Sequence, residues 1–142
     1  MDTVIRNRKN NVLVAFTGVV VVLSLLLSSC SVVNDLTDIS TAGSAFLAAL
    51  GKGDAAGAAA MMHSNAQRAG DMATALKAGF VDRHFGGFTV DNTKLENGVG
   101  ELTGKCSLTD SSGTAQTGTL TVQLQKDTDG KWKVLNINCK VS

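Results

Sequence analysis

Residues 101–141 read ELTGKCSLTDSSGTAQTGTLTVQLQKDTDGKWKVLNINCKV and contain the clearest structural pattern of the chain. Three runs rich in Thr, Val and Leu alternate apolar and polar side chains, which is the period of a β-strand with one buried face. Turn segments with Asp and Gly separate these runs at 110–113 and 127–130. A fourth run precedes the turn Asn97-Gly98. The pattern predicts an antiparallel meander of four strands, at 88–95, 101–109, 117–126 and 131–141.

Alternation also predicts which side of this sheet is buried. The apolar positions in phase with one another are Leu102, Cys106, Leu108, Leu120, Val122, Leu124, Leu135, Ile137, Cys139 and Val141. The positions between them are mostly Thr, Gln, Ser, Lys and Asn, so the other face is expected to be solvated.

Upstream of the sheet the apolar period changes to that of helices. Residues 35–50 carry apolar side chains at helical spacing, with Asp35 or Asp38 as the expected cap and Gly51 at the end. Asp54 is expected to cap a short helix over 55–62, and Asp71 to open a third segment that stops near residues 86–87. Helices followed by a sheet with one buried face predict an α+β fold.

The N-terminal segment has the layout of an export signal. Arg6, Arg8 and Lys9 precede an uncharged run over residues 12–27. The next residues, Leu27-Ser28-Ser29-Cys30, resemble the lipobox of bacterial lipoproteins. The resemblance implies a signal peptide at 1–29, a lipidated Cys30 that anchors the chain in a cell membrane through palmitate-type acyl chains, and a short linker at 30–35.

An uncleaved membrane anchor is the alternative for this segment, because about 20 apolar residues suffice to span a bilayer. Either alternative places the domain, residues 36–142, on the extracytoplasmic side of the membrane. Without residues 1–29 the chain has ten basic and eleven acidic residues, a net charge of about −1. A chain with this charge is not expected to bind nucleic acid, because it has no cationic surplus to neutralise phosphates.

Two segments of the domain carry a second resemblance. Residues 46–54, FLAALGKGD, lead into an Ala-rich helix, and residues 129–134, DGKWKV, lie in the last hairpin. Together they resemble small extracytoplasmic lipoproteins with a nuclear-transport-factor-2-like, or cystatin-like, domain. The resemblance implies helices packed on a curved four-stranded antiparallel sheet, often around an apolar pocket. It implies no particular activity, because one fold hosts many functions.

Several large side chains are expected either in the core or around such a pocket. They are Phe46, Met61, Met62, Phe80, Phe85, Phe88 and Trp132. If they line an unfilled cavity, the ligand would be a small hydrophobic molecule.

Cys106 and Cys139 are the cysteines that remain beside Cys30, and in an oxidising compartment such a pair is expected to form a disulfide. A strict meander places one strand between them, a separation of about 9.6 Å. A disulfide needs Cα atoms within about 7 Å. Strong curvature over Gly118, another strand order, or two free thiols would each resolve the conflict.

The sequence offers little catalytic chemistry. It contains no Tyr, and the remaining acid–base candidates are Asp82 with His84, and His63. Surface histidines and helix-end charges account for these residues more simply, so no catalytic residue, metal site or cofactor is predicted. We therefore expect a non-enzymatic binding or interaction module of the cell envelope, whose partner is an envelope protein or a small hydrophobic ligand.

Two alternatives remain open at the level of sequence. The first is a phage- or prophage-encoded lipoprotein that interferes with phage entry. The second is an isomerase- or dehydratase-like enzyme that uses Asp82 and His84.

Overall fold

The structure is a computed structural model that describes residues 31–142. The predicted signal segment, residues 1–29, and the predicted lipidation site, Cys30, lie outside the described residues. Residues Leu36–Ser142 form one compact unit, which contains the sheet and its core.

Within residues 31–142, four helices precede the sheet. They are α1 at residues 31–51, α2 at Ala55–Ala60, α3 at Ser64–Arg68 and α4 at Met72–Leu76, with a π-helical turn at Lys77–Val81. The predicted caps of α2 and α4 are confirmed: Asp54 accepts from the Gly57 N–H at 2.8 Å, and Asp71 accepts from the Thr74 N–H at 3.2 Å. These carboxylates satisfy N–H groups that have no partner inside the helix.

Two features of the helical region differ from the sequence-based expectation. Residues 31–35, expected as a linker, are helical, so Asp35 and Asp38 lie inside α1 and do not cap it. Helix α3 was not expected, because it has only five residues and its cap is His63. Histidine is not among the residues that usually cap helices.

The sheet is the predicted four-stranded antiparallel meander, in the order β1-β2-β3-β4. Its strands are β1 at Gly86–Glu96, β2 at Val99–Thr109, β3 at Ala115–Lys126 and β4 at Trp132–Val141. Asn97 and Gly98 form the first hairpin turn with φ of 52° and 77°. Positive φ at both central residues is the geometry that matches the twist of the flanking strands.

The helices pack on one face of this sheet, so the predicted α+β architecture is confirmed. The core residues with less than 2% of their surface exposed are Ile39, Phe46, Leu47, Leu50, Ala58, Leu102, Cys106, Leu108, Leu120, Val122, Leu124 and Val134. Burying side chains of this size from two layers supplies the main driving force for folding.

The prediction for one β4 residue was wrong. Gln123 pairs with Asn136 but Leu124 pairs with Val134, so Leu135 is an extra residue on β4. Such a bulge reverses the alternation of side chains along the strand. Val134, not Leu135, therefore enters the core, where it is 1% exposed.

Both edge strands approach the buried face at one end of the sheet. A Cβ on Gly118 would meet the Lys140 carbonyl group, with its carbon at 2.6 Å, and a Cβ on Gly104 would meet the Thr89 carbonyl group, with its carbon at 2.8 Å. Both glycines are in phase with the buried residues of their strands. The backbones of β1 and β4 therefore lie over the buried face, in space that a side chain would otherwise occupy.

This curvature brings the two cysteines of the domain together. Cys106 on β2 pairs with Gly118 on β3, and Cys139 lies on the next strand, β4. The Cα atoms of Cys106 and Cys139 are 6.1 Å apart and their sulfurs are bonded. Curvature over Gly118 is therefore the alternative that the structure supports, with the plain meander retained.

Candidate functional site

A groove lies between α1 and the hairpin that connects β3 to β4. Its volume is about 320 Å³. The residues that line it are Asp38, Thr41, Ala42, Ala45, Gly130, Lys131 and Trp132. One wall is a face of α1 with small side chains, and the other is the tip of the hairpin.

Trp132 is the aromatic residue of this groove. It is 9% exposed, and the Lys126 ammonium nitrogen lies 5.4 Å from the centroid of its ring. A cation over an indole face is an attractive contact. The ring is therefore held between the core and Lys126, with its remaining exposed surface at the groove.

The buried carboxylate of Asp127 fixes the hairpin beside this groove. Its Oδ1 accepts from the Ser64 hydroxyl at 2.7 Å and from the Thr128 N–H at 2.8 Å, and its Oδ2 accepts from the Ser64 N–H at 3.0 Å. The Lys133 ammonium group also lies 3.4 Å from Oδ2. A carboxylate that accepts several hydrogen bonds in a site with little water is a strong local constraint.

These hydrogen bonds lower the pKa of Asp127 well below its usual range. The largest cause is the Ser64 hydroxyl, followed by the Thr128 N–H, while desolvation by burial acts in the opposite direction. The pKa of Asp129 is lowered mainly by the Lys131 N–H, and the pKa of Lys133 is raised mainly by Asp129. The side chains of Asp127, Asp129 and Lys133 therefore stay charged across the neutral pH range.

His63 and Ser64 stand next to Asp127 but do not form a nucleophile–base pair. The Ser64 hydroxyl donates to Asp127 and not to His63. The Nδ1 atom of His63 accepts from the Asn65 N–H at 3.1 Å, so the ring proton lies on Nε2, which is 3.7 Å from Asp127. A catalytic triad requires the imidazole to accept the hydroxyl proton. The arrangement instead caps α3 and ties it to the hairpin.

The segment before α3 adds a second tie to β4. The His63 N–H donates to the Val134 carbonyl at 2.7 Å, and the Val134 N–H donates to the Met61 carbonyl at 3.1 Å. This short parallel bridge covers part of the outer edge of β4. It also holds the strand that carries Trp132 in place.

The other acid–base candidates, Asp82 and His84, are exposed on the surface. Asp82 pairs with Lys77 at 3.2 Å, and both side chains are more than half exposed. His84 is exposed and has a φ of 51°. Within residues 31–142 no cluster of three metal-ligating side chains occurs.

The residues expected in the core or around an apolar pocket divide among several places. Phe46, Met62 and Phe85 are at most 4% exposed, whereas Met61 is 38% exposed. The rings of Phe80 and Phe85 form a T-shaped pair with centroids 5.6 Å apart, and Phe88 stacks on the Phe85 ring at 6.1 Å. Trp132 is the member of this set that lines the α1–hairpin groove.

A second groove of about 280 Å³ lies between α2 and the α3–α4 region. Its lining residues are Ala59, Ala60, Gln67, Gly70, Asp71, Met72 and Ala73. The polar groups of Gln67 and Asp71 are already used, since Gln67 donates to the Met62 carbonyl at 2.9 Å and Asp71 caps α4.

Within the described part of the chain no helix has both the length and the apolar composition to cross a membrane.

Comparison with known proteins identifies the fold. No protein-family model matches the chain, and neither does the sequence of any curated protein. Among solved structures, one described as a calcium/calmodulin dependent protein kinase II association domain from Xanthomonas campestris matches with a TM-score of 0.54. The match has 15% sequence identity and covers 73% of this chain and 85% of that chain.

The fold is nuclear-transport-factor-2-like. A further solved chain, a five-substitution variant named Rd1NTF2_05, matches at 18% identity over 78% of this chain and 96% of that chain, with a TM-score of 0.46. At such identities the likeness concerns architecture alone. The likeness assigns no activity to the groove or to the Asp127 cluster.

Of the residues that line the groove, the sequence indicates only Trp132 as a pocket residue. Asp127 was expected only as a turn residue, and Asp38 only as a helix cap. The available signal was the sequence 127–134, DTDGKWKV, in which a turn carboxylate lies close to an aromatic residue. The pattern gives no measure of burial, so it could not show that Asp127 is an anchor.

Proposed function

We propose that the chain is an extracytoplasmic lipoprotein, anchored in the cell membrane through Cys30, whose domain is a non-enzymatic binding module of the envelope. The observation that carries the proposal is that two of the three cysteines are bonded to each other and the third follows the lipobox residues. Cys106 and Cys139 are bonded, which is typical of an oxidising compartment. Cys30 is the cysteine left over, and it directly follows the lipobox residues 27–29.

A binding role is favoured over an enzymatic one by what the acid–base groups contact. Ser64 donates to Asp127, His63 accepts from the Asn65 N–H, and Asp82 pairs with Lys77. Each of these contacts stabilises the local structure and leaves no base beside a free nucleophile. The α1–hairpin groove is the place where the domain offers a preformed concave surface to an envelope partner or a small ligand.

Lipidation is tested with the full chain produced in bacteria that are fed radiolabelled palmitate. The wild-type chain is expected to carry the label and to sediment with membranes. Cys30→Ser removes the thiol that would take the lipid, so this variant is expected to lose the label. The matched control, Ser29→Ala, keeps a small residue beside the cleavage site and is expected to remain labelled. A labelled Cys30→Ser chain would contradict the proposal.

Binding is tested in cells with a photo-crosslinking residue at one of two exposed positions. Ala45 lies on the groove, and Thr119 lies on the solvated face of the sheet. A binding module that uses the groove forms a discrete adduct from position 45 and not from position 119. Equal adducts from both positions, or none from 45, would contradict it. The Asp82→Asn and His84→Ala variants, each combined with the crosslinking residue at position 45, should leave the adduct unchanged.

A further inference from the structure

The two walls of the α1–hairpin groove carry opposite charges that do not pair with each other. Asp38 comes from α1 and Lys131 from the tip of the hairpin. Both residues are exposed, and among residues 31–142 no ion pair involves either side chain. The neighbouring Lys133, by contrast, is held by Asp127 and Asp129 at 3.4 and 3.3 Å.

The surface between these charges is apolar. Ala42 and Ala45 present small side chains from α1, and the exposed part of Trp132 faces them from the hairpin. A ligand that matches this surface has an ammonium group at one end, an apolar part in the middle and a carboxylate at the other end. We propose that the groove binds a short apolar peptide through its free termini, with the ammonium group at Asp38 and the carboxylate at Lys131.

The size of the groove agrees with such a ligand. Its volume of about 320 Å³ lies at the lower end of the range for small-molecule sites, about 300–1,000 Å³. This space fits a dipeptide or tripeptide better than a folded segment of a protein. Thr41 adds one hydroxyl group to the lining that can donate to or accept from a peptide group.

The hairpin wall is fixed before a ligand arrives. Asp127 holds the base of the hairpin through Ser64, and Lys126 lies over the ring of Trp132. A preformed wall lowers the entropy that binding would otherwise cost, which favours measurable affinity for a small ligand. Only the exposed side chains of Asp38 and Lys131 need to become ordered.

This inference rests on the proposed binding function and is tested by titration of the purified full chain in detergent with L-alanyl-L-leucine. Trp132 is the single Trp of the chain, so its fluorescence reports on the groove. We expect a saturable change in Trp132 fluorescence and a matching heat in calorimetry. The N-acetylated and the C-amidated dipeptides each lack one charge and should bind about two- to fivefold more weakly, as expected for an exposed ion pair.

Variants of Asp38 and Lys131 show whether these two side chains contact the dipeptide or whether any change in surface charge weakens its binding. Asp38→Asn and Lys131→Gln should each weaken dipeptide binding by a similar factor, about two- to fivefold. The matched controls Asp91→Asn and Lys105→Gln remove exposed charges elsewhere on the sheet and should leave binding unchanged.

Three results would overturn the inference. They are the absence of both saturable fluorescence change and heat, equal binding of the dipeptide that is blocked at both termini, and equal losses in the control variants. Equal binding of the blocked dipeptide would identify the occupant as an uncharged apolar molecule. A failed titration together with an intact adduct from position 45 would overturn the peptide ligand and leave the binding module standing.

Discussion

At one end of the sheet, β1 and β4 lie over the buried face and a disulfide joins β4 to β2, whereas at the other end a buried carboxylate ties the β3–β4 hairpin to α3. The first end is closed by backbone contact at Gly104 and Gly118 and by the Cys106–Cys139 bond. The second is held by hydrogen bonds to Asp127.

The difference shows how the domain can be stable and still present a site. The disulfide end supports the edge strand β4 without polar side chains in the core. The hairpin end keeps a polar anchor under a loop that forms one wall of the groove. Removal of the disulfide should mainly lower the stability of the domain. Removal of the Asp127 anchor should lower the stability and also alter the groove.

The largest effect is expected from removal of the disulfide in the double variant Cys106→Ala/Cys139→Ala. The bond closes a segment with a sequence separation of 33, so its loss should lower the free energy of unfolding by about 3 to 4 kcal/mol. Urea denaturation of the full chain measures the difference. Cys30→Ser keeps the pair and should unfold at the wild-type midpoint. An unchanged midpoint in the double variant would show that the bond does not stabilise this end.

A smaller loss is expected from Gly118→Ala. The added Cβ would meet the Lys140 carbonyl group and the Val141 Cα at 2.8 Å, so β4 would have to move away. Crowding of this kind costs about 1 to 3 kcal/mol. The control Gly51→Ala meets no atom within 4 Å and should not destabilise the domain.

The same variant tests whether curvature and disulfide depend on each other. In the Cys106→Ala/Cys139→Ala background β4 is free to move, so Gly118→Ala should cost less than it does in the wild type. A double-mutant cycle on unfolding free energies gives the coupling. If the losses from Gly118→Ala and from removal of the disulfide simply add, the curvature and the disulfide do not depend on each other.

At the hairpin end, Asp127→Asn should lower Tm by several degrees. The amide has the shape of the carboxylate, but its NH₂ group replaces one of the two accepting oxygens, so either the Ser64 N–H or the Thr128 N–H loses its acceptor. Fluorescence of Trp132 should change as well, because the hairpin loses its anchor. Asp91→Asn is the control, since Asp91 is exposed on β1. A Tm loss no larger than that of Asp91→Asn would contradict the anchoring role.

The pH dependence of this loss has a defined sign. The folded state lowers the pKa of Asp127 from its ordinary value of 3.8, so the carboxylate contributes stability fully above that value. The contribution is lost as the pH falls below about 4 toward the folded-state pKa. The difference in Tm between wild type and Asp127→Asn should therefore be constant near neutral pH and narrow in acid. A Tm difference that widens in acid would contradict the lowered pKa of Asp127.

The smallest effect is expected from Asp82→Asn. The Lys77–Asp82 pair has side-chain exposures of 64% and 53%, and such pairs contribute little in water. Thermal melts should show no measurable change in Tm, with Asp127→Asn as the destabilised reference. A loss as large as that of Asp127→Asn would mean that Asp82 makes a contact that the structure does not show.

Local chemistry made much of the fold predictable from the sequence. Turn residues at Asn97-Gly98 and period-2 alternation on β2 and β3 predicted the meander, and Asp54 and Asp71 predicted the starts of two helices. These signals depend on residues that are close in the sequence, so the amino-acid sequence alone is enough to recognise them.

The rest depended on contacts between distant segments. The bulge at Leu135 follows from how β4 pairs with β3, and no residue at that position signals it. Helix α3 is too short for an apolar period, and its stability comes from Asp127, 63 positions after Ser64. The groove needs α1 beside the last hairpin, which is a tertiary contact that neither segment encodes alone.

The most direct test of the account is mass spectrometry of the protein purified from membranes without reductant. We expect a mature chain that begins at Cys30, carries a diacylglycerol group on that residue, and yields a linked peptide containing Cys106 and Cys139. A chain that retains residues 1–29, or that gives alkylatable thiols at Cys106 and Cys139, would contradict it.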